Sequence, residues 1–235
     1  MQRHLDVDVQ RVKDELVRMA GLAEEAIGRA VKALVSRDAE LARHVIASDD
    51  AINTLEIEID DLCLRTMARY QPEAKDLRFL AMVLKINNDL ERMGDQAVNI
   101  AERTVELLKE PLLKPLIDIP RMAEIAQRMV RESLDAFVQQ KADLAQAVCR
   151  QDDVVDRLDD QIFRELLTYM MEDPKTITRS VQLILVSRHL ERIADHATNI
   201  AEDVIYLVEG KTIKHHLQDR PPSTVHKFLA APEGL

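Results

Sequence analysis

Glu91, Asp95, Asn99 and Glu102 fall within the stretch LERMGDQAVNIAE (90–102), and LERIADHATNIAE (190–202) repeats them as Glu191, Asp195, Asn199 and Glu202. Nine of the thirteen letters are shared, at an offset of 100 residues. On a helix each residue turns about 100°, so positions four and eight apart share a face. Glu91, Asp95 and Asn99 therefore line one side, with Glu102 close by, and the second copy does the same. A matching strip precedes each ladder: Asp49, Asn53, Glu56 and Asp60 before the first, Asp152, Asp156 and Asp159 before the second. Carboxylates stacked this way repel by roughly 0.2–0.5 kcal/mol per exposed pair, and burying them unpartnered costs far more. Three things could compensate: an arginine or lysine such as Arg92, Arg192 or Lys85, plain solvation, or a hard cation, for which clustered oxygens are the natural donors.

Such ladders need long helices, and the composition supplies them. Of 235 residues 46% are hydrophobic, only 3% are aromatic and five are glycine, which is poor material for sheets and good material for helices. The expected class is all-α. Val12, Leu16, Met19, Ala23, Ile27, Ala30 and Leu34 predict a first helix over 7–36. Asp38 is placed to cap a second helix running to Tyr70, and Pro72 leads into a third that continues to Leu108. KEPLLKPLIDIP (109–120), with three prolines in twelve residues, cannot remain helical and reads as a linker. The order then repeats, with helices over 122–139 and 143–171 and one opened by Pro174 that ends near Gly210. SDDAINTLEIEI (48–59) matches QDDVVDRLDDQI (151–162) at an offset of 103.

The expected architecture is two tandem, pseudo-repeated antiparallel three-helix bundles, over 1–110 and 122–210, joined by a Pro-rich linker at 111–121. Residues 211–235 are expected to form a flexible tail, the alternative being that VHKFL within it is a short docking element. Antiparallel packing of the second and third helices sets their acidic strips face to face, and the fifth and sixth do likewise. Leu90, Gly94, Ala97 and Ala101, with Leu190, Ala194, Ala197 and Ala201, form the neighbouring strip. That strip must be buried, and its small residues allow close helix approach.

A formal net charge of −10 argues against nucleic acid and against docking on anionic lipid. No run approaches a membrane span and the N-terminus lacks a signal-peptide core, so a cytoplasmic address without membrane insertion is expected. Cys63 and Cys149 read as lone, buried thiols. A ferritin-like di-metal oxidase needs Glu-x-x-His elements, and none of the seven histidines has a Glu three positions before it. His189 and His196 lie off the acidic face and are expected at the surface. Without a Gly-rich phosphate loop, GxSxG or a Cys/His pair, no active site is assembled. Arg78, Arg92, Arg179 and Arg192 are expected to pair with acidic neighbours within the chain.

Two copies of LER(I/M)xDxxxNIAE, each preceded by a helix carrying DxxxN or DxxxD, resemble the signature of the PhoU family. RYQPEAKDLRFL (69–80) and TYMMEDPKTI (168–177) strengthen the resemblance, which covers about 5–210. It implies a cytoplasmic, often dimeric negative regulator of phosphate uptake and of the phosphate-starvation response. Such a protein connects the ATPase subunit of the phosphate ABC transporter (PstB-like) to a sensor histidine kinase (PhoR-like). The resemblance also implies metal sites at Asp49, Asn53, Glu91 and Asp95, and at Asp152, Asp156, Glu191 and Asp195. Asn99, Glu102, Asn199 and Glu202 would be secondary ligands, and the metal a divalent or ferric ion such as Fe, Mn, Zn or Mg. Asn53 stands where the strict motif has Asp, so the second site is expected to hold metal more strongly. A metal-dependent enzyme working at the carboxylate sites and a metal-storage protein are the competing readings.

Overall fold

Val12, Leu16, Met19, Ala23, Ile27 and Ala30 all reach zero exposure along one side of a 33-residue helix, as their spacing requires. That helix is α1 (His4–Ser36) of a computed structural model describing residues 4–210. It is followed by α2 (Ala39–Ala47), α3 (Asp50–Tyr70), α4 (Ala74–Leu107), α5 (Asp118–Gln139), α6 (Ala142–Glu172) and α7 (Ile177–Glu209), a single 3₁₀ turn at Pro174–Thr176 leading into α7. The tail expected at 211–235, VHKFL included, lies outside the described residues. No strand occurs among the described residues, and no helix there is long and apolar enough to cross a membrane.

Two boundaries differ from the periodicity reading. The expected second helix is two helices, α2 and α3. Asp38 does cap α2, its carboxylate accepting from the backbone N–H groups of Glu40 and Leu41, both at 3.0 Å. The break comes at Ser48, whose hydroxyl donates to the Val45 carbonyl at 2.9 Å while its N–H is shared between His44 and Val45. A serine that turns on its own backbone competes with helix continuation. The second half has Gln151 there, and α6 runs unbroken. The fourth helix of the sequence reading, α5, begins at Asp118 rather than Met122. Pro120 lies within its first turn, where a missing N–H costs nothing.

The connection between halves is tied down from both sides. Arg37 donates to the Glu110 carbonyl at 2.6 Å, and Arg179 donates to the Pro111 carbonyl at 3.1 Å while pairing with the Glu110 carboxylate. Buried Lys114 pairs with Glu165 of α6. Each half is an antiparallel bundle, but the halves are not separate bodies. α4 packs along α7, α1 packs on both α4 and α5, and one hydrophobic core runs through all of them. The Phe79 and Phe137 rings stack across the boundary at 5.4 Å.

Gly94 shows how tightly α3 and α4 approach. A Cβ there would stand 2.9 Å from Ile52 Cδ1 and 3.5 Å from an Asp49 oxygen, whereas the second half accommodates Ala194. Only the flexible end of Ile52 need move for a methyl group. Gly94→Ala is therefore expected to change unfolding free energy by less than about 1 kcal/mol, its helix-propensity gain set against that shift. Gly94→Leu is expected to cost roughly 1–3 kcal/mol by overpacking. Urea denaturation of both variants checks the pair, and an equal loss in both would contradict the local geometry.

Candidate functional site

The first acidic seam lies where α3 and α4 run antiparallel. At one level Asn87, with zero exposure, donates to the Glu56 carbonyl at 2.9 Å and to Asp60 at 2.8 Å. Further along, Asp49 accepts from the Asn53 amide at 2.9 Å. Burial pushes the Asp49 carboxyl above its usual range, opposed by the Asn53 hydrogen bond and reinforced by Asp95. Glu91 is raised as well, first by burial and then by Asp95, with Glu56 and Asp49 adding to it and Arg92 opposing. Asp49, Glu56, Glu91 and Asp95 are thus one mutually repelling group. Arg92 lies 3.4 Å from Glu91 and 3.3 Å from Asp95.

The second seam, between α6 and α7, is more deeply set. Glu191 is pushed up to about 7 by burial first and Asp195 next, with Arg188 opposing and Asp159 and Asp156 reinforcing. Asp159 is 3% exposed, accepts from the Ser187 hydroxyl at 2.8 Å and is raised by its burial. Arg188 lies 3.4 Å from Asp159 and 3.7 Å from Glu191. Asp152 is buried one turn before Asp156 on α6.

The structure therefore gathers Asp49, Asn53, Glu91 and Asp95 at one seam and Asp156, Glu191 and Asp195 at the other, with Glu56 and Asp159 joining them. The secondary positions diverge. Glu102 faces solvent beside Arg103, Glu202 is buried, Asn99 is half-buried, and Asn199 leans 3.5 Å from Asp89 of α4. Carboxylate and amide oxygens are the right donor chemistry for a hard cation. Among the described residues, no group of three or more Asp, Glu, His or Cys side chains is already set to hold an ion.

His189 and His196 correct the surface expectation. Both are half-buried in the α4–α7 seam, His189 Nδ1 lying 2.8 Å from Gln96 Oε1 and His196 Nδ1 2.8 Å from Asp89 Oδ1. Lys85 closes one end on buried Asp203 at 2.9 Å, and Arg103 reaches Gln182 at 3.4 Å near the other. Asp89 and His189 are equivalent in the two copies, as are Gln96 and His196. The contacts 89–196 and 96–189 are therefore mates about a pseudo-twofold axis. A signal was present: two positions where the copies differ, seven residues apart, with complementary chemistry. Arg188, which the sequence reading also passed over, lies 3.7 Å from Glu191.

A family model described as the PhoU domain matches twice, at residues 16–104 and 119–204. The phosphate-specific transport system accessory protein PhoU homolog of Aquifex aeolicus is 49% identical over 214 residues, 91% of this chain and 97% of that protein. The homolog of Pseudomonas aeruginosa is 43% identical over 216 residues, 92% of this chain and 89% of its own length. The crystal structure of PhoU from Pseudomonas aeruginosa superposes with a TM-score of 0.86 at 44% identity, covering 88% of this chain and all of that one (100%). The phosphate transport system regulatory protein PhoU from Streptococcus pneumoniae gives 0.83 at 29% identity, covering 89% and 99%.

The seam histidine has a pH consequence. Burial, helped by Arg192 and Arg103, pushes His189 from 6.5 down to about 4. The unfolded chain then binds more protons between those values, so this contribution to stability is complete above about pH 6.5 and is lost as pH falls toward 4. Urea denaturation across that window is expected to show a smaller loss for His189→Gln than for the parent chain. Identical slopes would contradict a neutral imidazole in the seam.

Proposed function

The chain belongs to the PhoU family, and on that footing we propose that it is a negative regulator of phosphate uptake and of the phosphate-starvation response. It works as an adaptor in the cytoplasm, between the ATPase subunit of the phosphate ABC transporter and the phosphate sensor histidine kinase. The observation that carries this reading is the twofold family match across both halves, joined to relatives that are named accessory or regulatory proteins of phosphate transport. A regulator of this kind acts by differential affinity: it shifts a transporter or kinase only if it binds one of its states better than the other. Long rigid helices with a shared core present a fixed surface for that discrimination. Dimerisation through such a surface belongs to the same proposal.

The acidic seams supply its second part. We assign cation binding to Asp152, Asp156, Glu191 and Asp195 in the second half and to Asp49, Asn53, Glu91 and Asp95 in the first. Fe, Mn, Zn and Mg all accept such oxygen donors, and a bound ion would supply fixed positive charge tying α6 to α7 or α3 to α4. Arg188 and Arg92 supply part of that charge from within the chain. The sites differ in strength. Asn53 brings no charge, and its amide occupies an Asp49 oxygen, whereas Asp156 adds a carboxylate.

Elemental analysis of purified variants tests the difference. Glu191→Ala with Asp195→Ala is expected to remove more metal per chain than Glu91→Ala with Asp95→Ala, and equal losses would contradict the Asn53 argument. The regulatory reading is tested in the cell. Deleting the gene is expected to switch on a phosphate-regulon reporter in phosphate-replete medium, and restoring the intact chain to silence it. A reporter that ignores the deletion would overturn the proposal.

A further inference from the structure

At the N-terminal end of α4 the molecule carries a cavity of about 550 Å³, away from both acidic seams. Lys13 of α1 and Lys75 and Arg78 of α4 open into it, with Asp76 the one carboxylate of its lining among the described residues. Three cations around one hollow stand out in a chain of net charge −10. Two of them rest on rings: Lys13 Nζ lies 5.1 Å from the Phe79 ring centre and the Arg78 guanidinium 5.8 Å from that of Tyr206. Phe79, 4% exposed, is itself fixed by stacking on Phe137. The three cations are carried on helices rather than on a loop.

The backbone adds to the same field. Glu73, the N-cap of α4, makes no side-chain cap bond, and Leu77 N–H to the Glu73 carbonyl at 3.0 Å begins the helical ladder. The N–H groups of the first turn point out of the helix with the positive end of a 34-residue dipole behind them. Val9, Leu207 and Val208 add apolar side chains to the lining. The volume lies within the roughly 300–1,000 Å³ typical of small-molecule sites and far exceeds what a lone phosphate fills. Cationic and apolar side chains around one hollow suit a ligand with several phosphates and an organic group.

We infer that this cavity binds a nucleoside polyphosphate. Its phosphates lie against Lys13, Lys75, Arg78 and the start of α4, and its base against Val9 and Leu207. The inference is independent of the carboxylate seams. Calorimetric titration of the full chain in EDTA, with ATP, tripolyphosphate, adenosine and inorganic phosphate, tests it. ATP is expected to bind at micromolar concentration, more tightly than the other three. Lys13→Gln with Arg78→Gln is expected to weaken it at least about tenfold while the helical circular-dichroism signal stays unchanged. Photolabelling with 8-azido-ATP provides a measurement that needs no variant, and the label is expected near Val9 or Leu207. Absent ATP binding, affinity unchanged in the double variant, a label placed elsewhere, or tripolyphosphate binding as tightly as ATP would each overturn the assignment. Because the protein is chelated throughout, such a failure leaves the regulatory and metal readings untouched.

Discussion

Along the α4–α7 seam a 34-residue helix lies antiparallel to one of 33 residues, and their register is set by charges that cannot be left alone. Asp203 is 2% exposed and Asp89 8%. Buried carboxylates need a partner, and removing one partner of such a pair is far more costly than the pair is stabilising. Lys85 meets Asp203, and His196 meets Asp89, in one register only. A slip by one helical turn would break both contacts. Apolar contacts such as Met93 and Ile193, both fully buried, provide the attraction, but they are less particular about alignment. The polar ladder chooses the register and the core holds it.

The acidic seams depend on that choice because α4 and α7 carry both features on different faces. Asp89 and Glu91 are two positions apart and so point about 200° apart around α4. One meets the other half of the molecule, the other meets α3 of its own half. The same division holds on α7, where His189 faces α4 and Glu191 faces α6. Each of these helices is thus a two-sided template, and α3 and α6 hang from its outer side. Duplication accounts for the near-symmetry, and later divergence for the differences. Ser48, Asn53 and Gly94 in the first half, against Gln151, Asp156 and Ala194 in the second, make one seam kinked, less charged and closely approached, and the other continuous and more strongly acidic.

Helix positions were legible because the apolar spacing of Val12 to Leu34 and the two LER stretches admits few other readings. Pairing of the seams was legible too, since a short turn forces α3 against α4. What periodicity could not see were effects of single side chains on backbone and of one half on the other. Ser48 breaks a helix through its own hydroxyl, and Pro120 is absorbed into a first turn instead of ending a loop. A helical wheel for one bundle leaves the face of His189 and His196 bare, which is why the sequence alone points them to the surface. That face is bare only until the other bundle covers it. The cavity beside α4 was invisible for a similar reason, since Lys13, Lys75, Arg78 and Leu207 come from three helices of both halves.

Those same helices bring the cavity and the acidic seams into mechanical relation. From Arg78 to Glu91 is thirteen residues of unbroken α4, about 20 Å at 1.5 Å per residue. A straight helix in a close-packed core does not bend to pass on a small local change; it shifts as a body or not at all. A ligand at the start of α4 could therefore alter the seam only by moving α4 against α3 or α7, and the Lys85–Asp203 and Asp89–His196 contacts resist that motion directly. Any coupling between the two places must work against the ladder that sets the register. By linkage it must also run both ways, an ion at Glu91 and Asp95 affecting the cavity as much as the reverse.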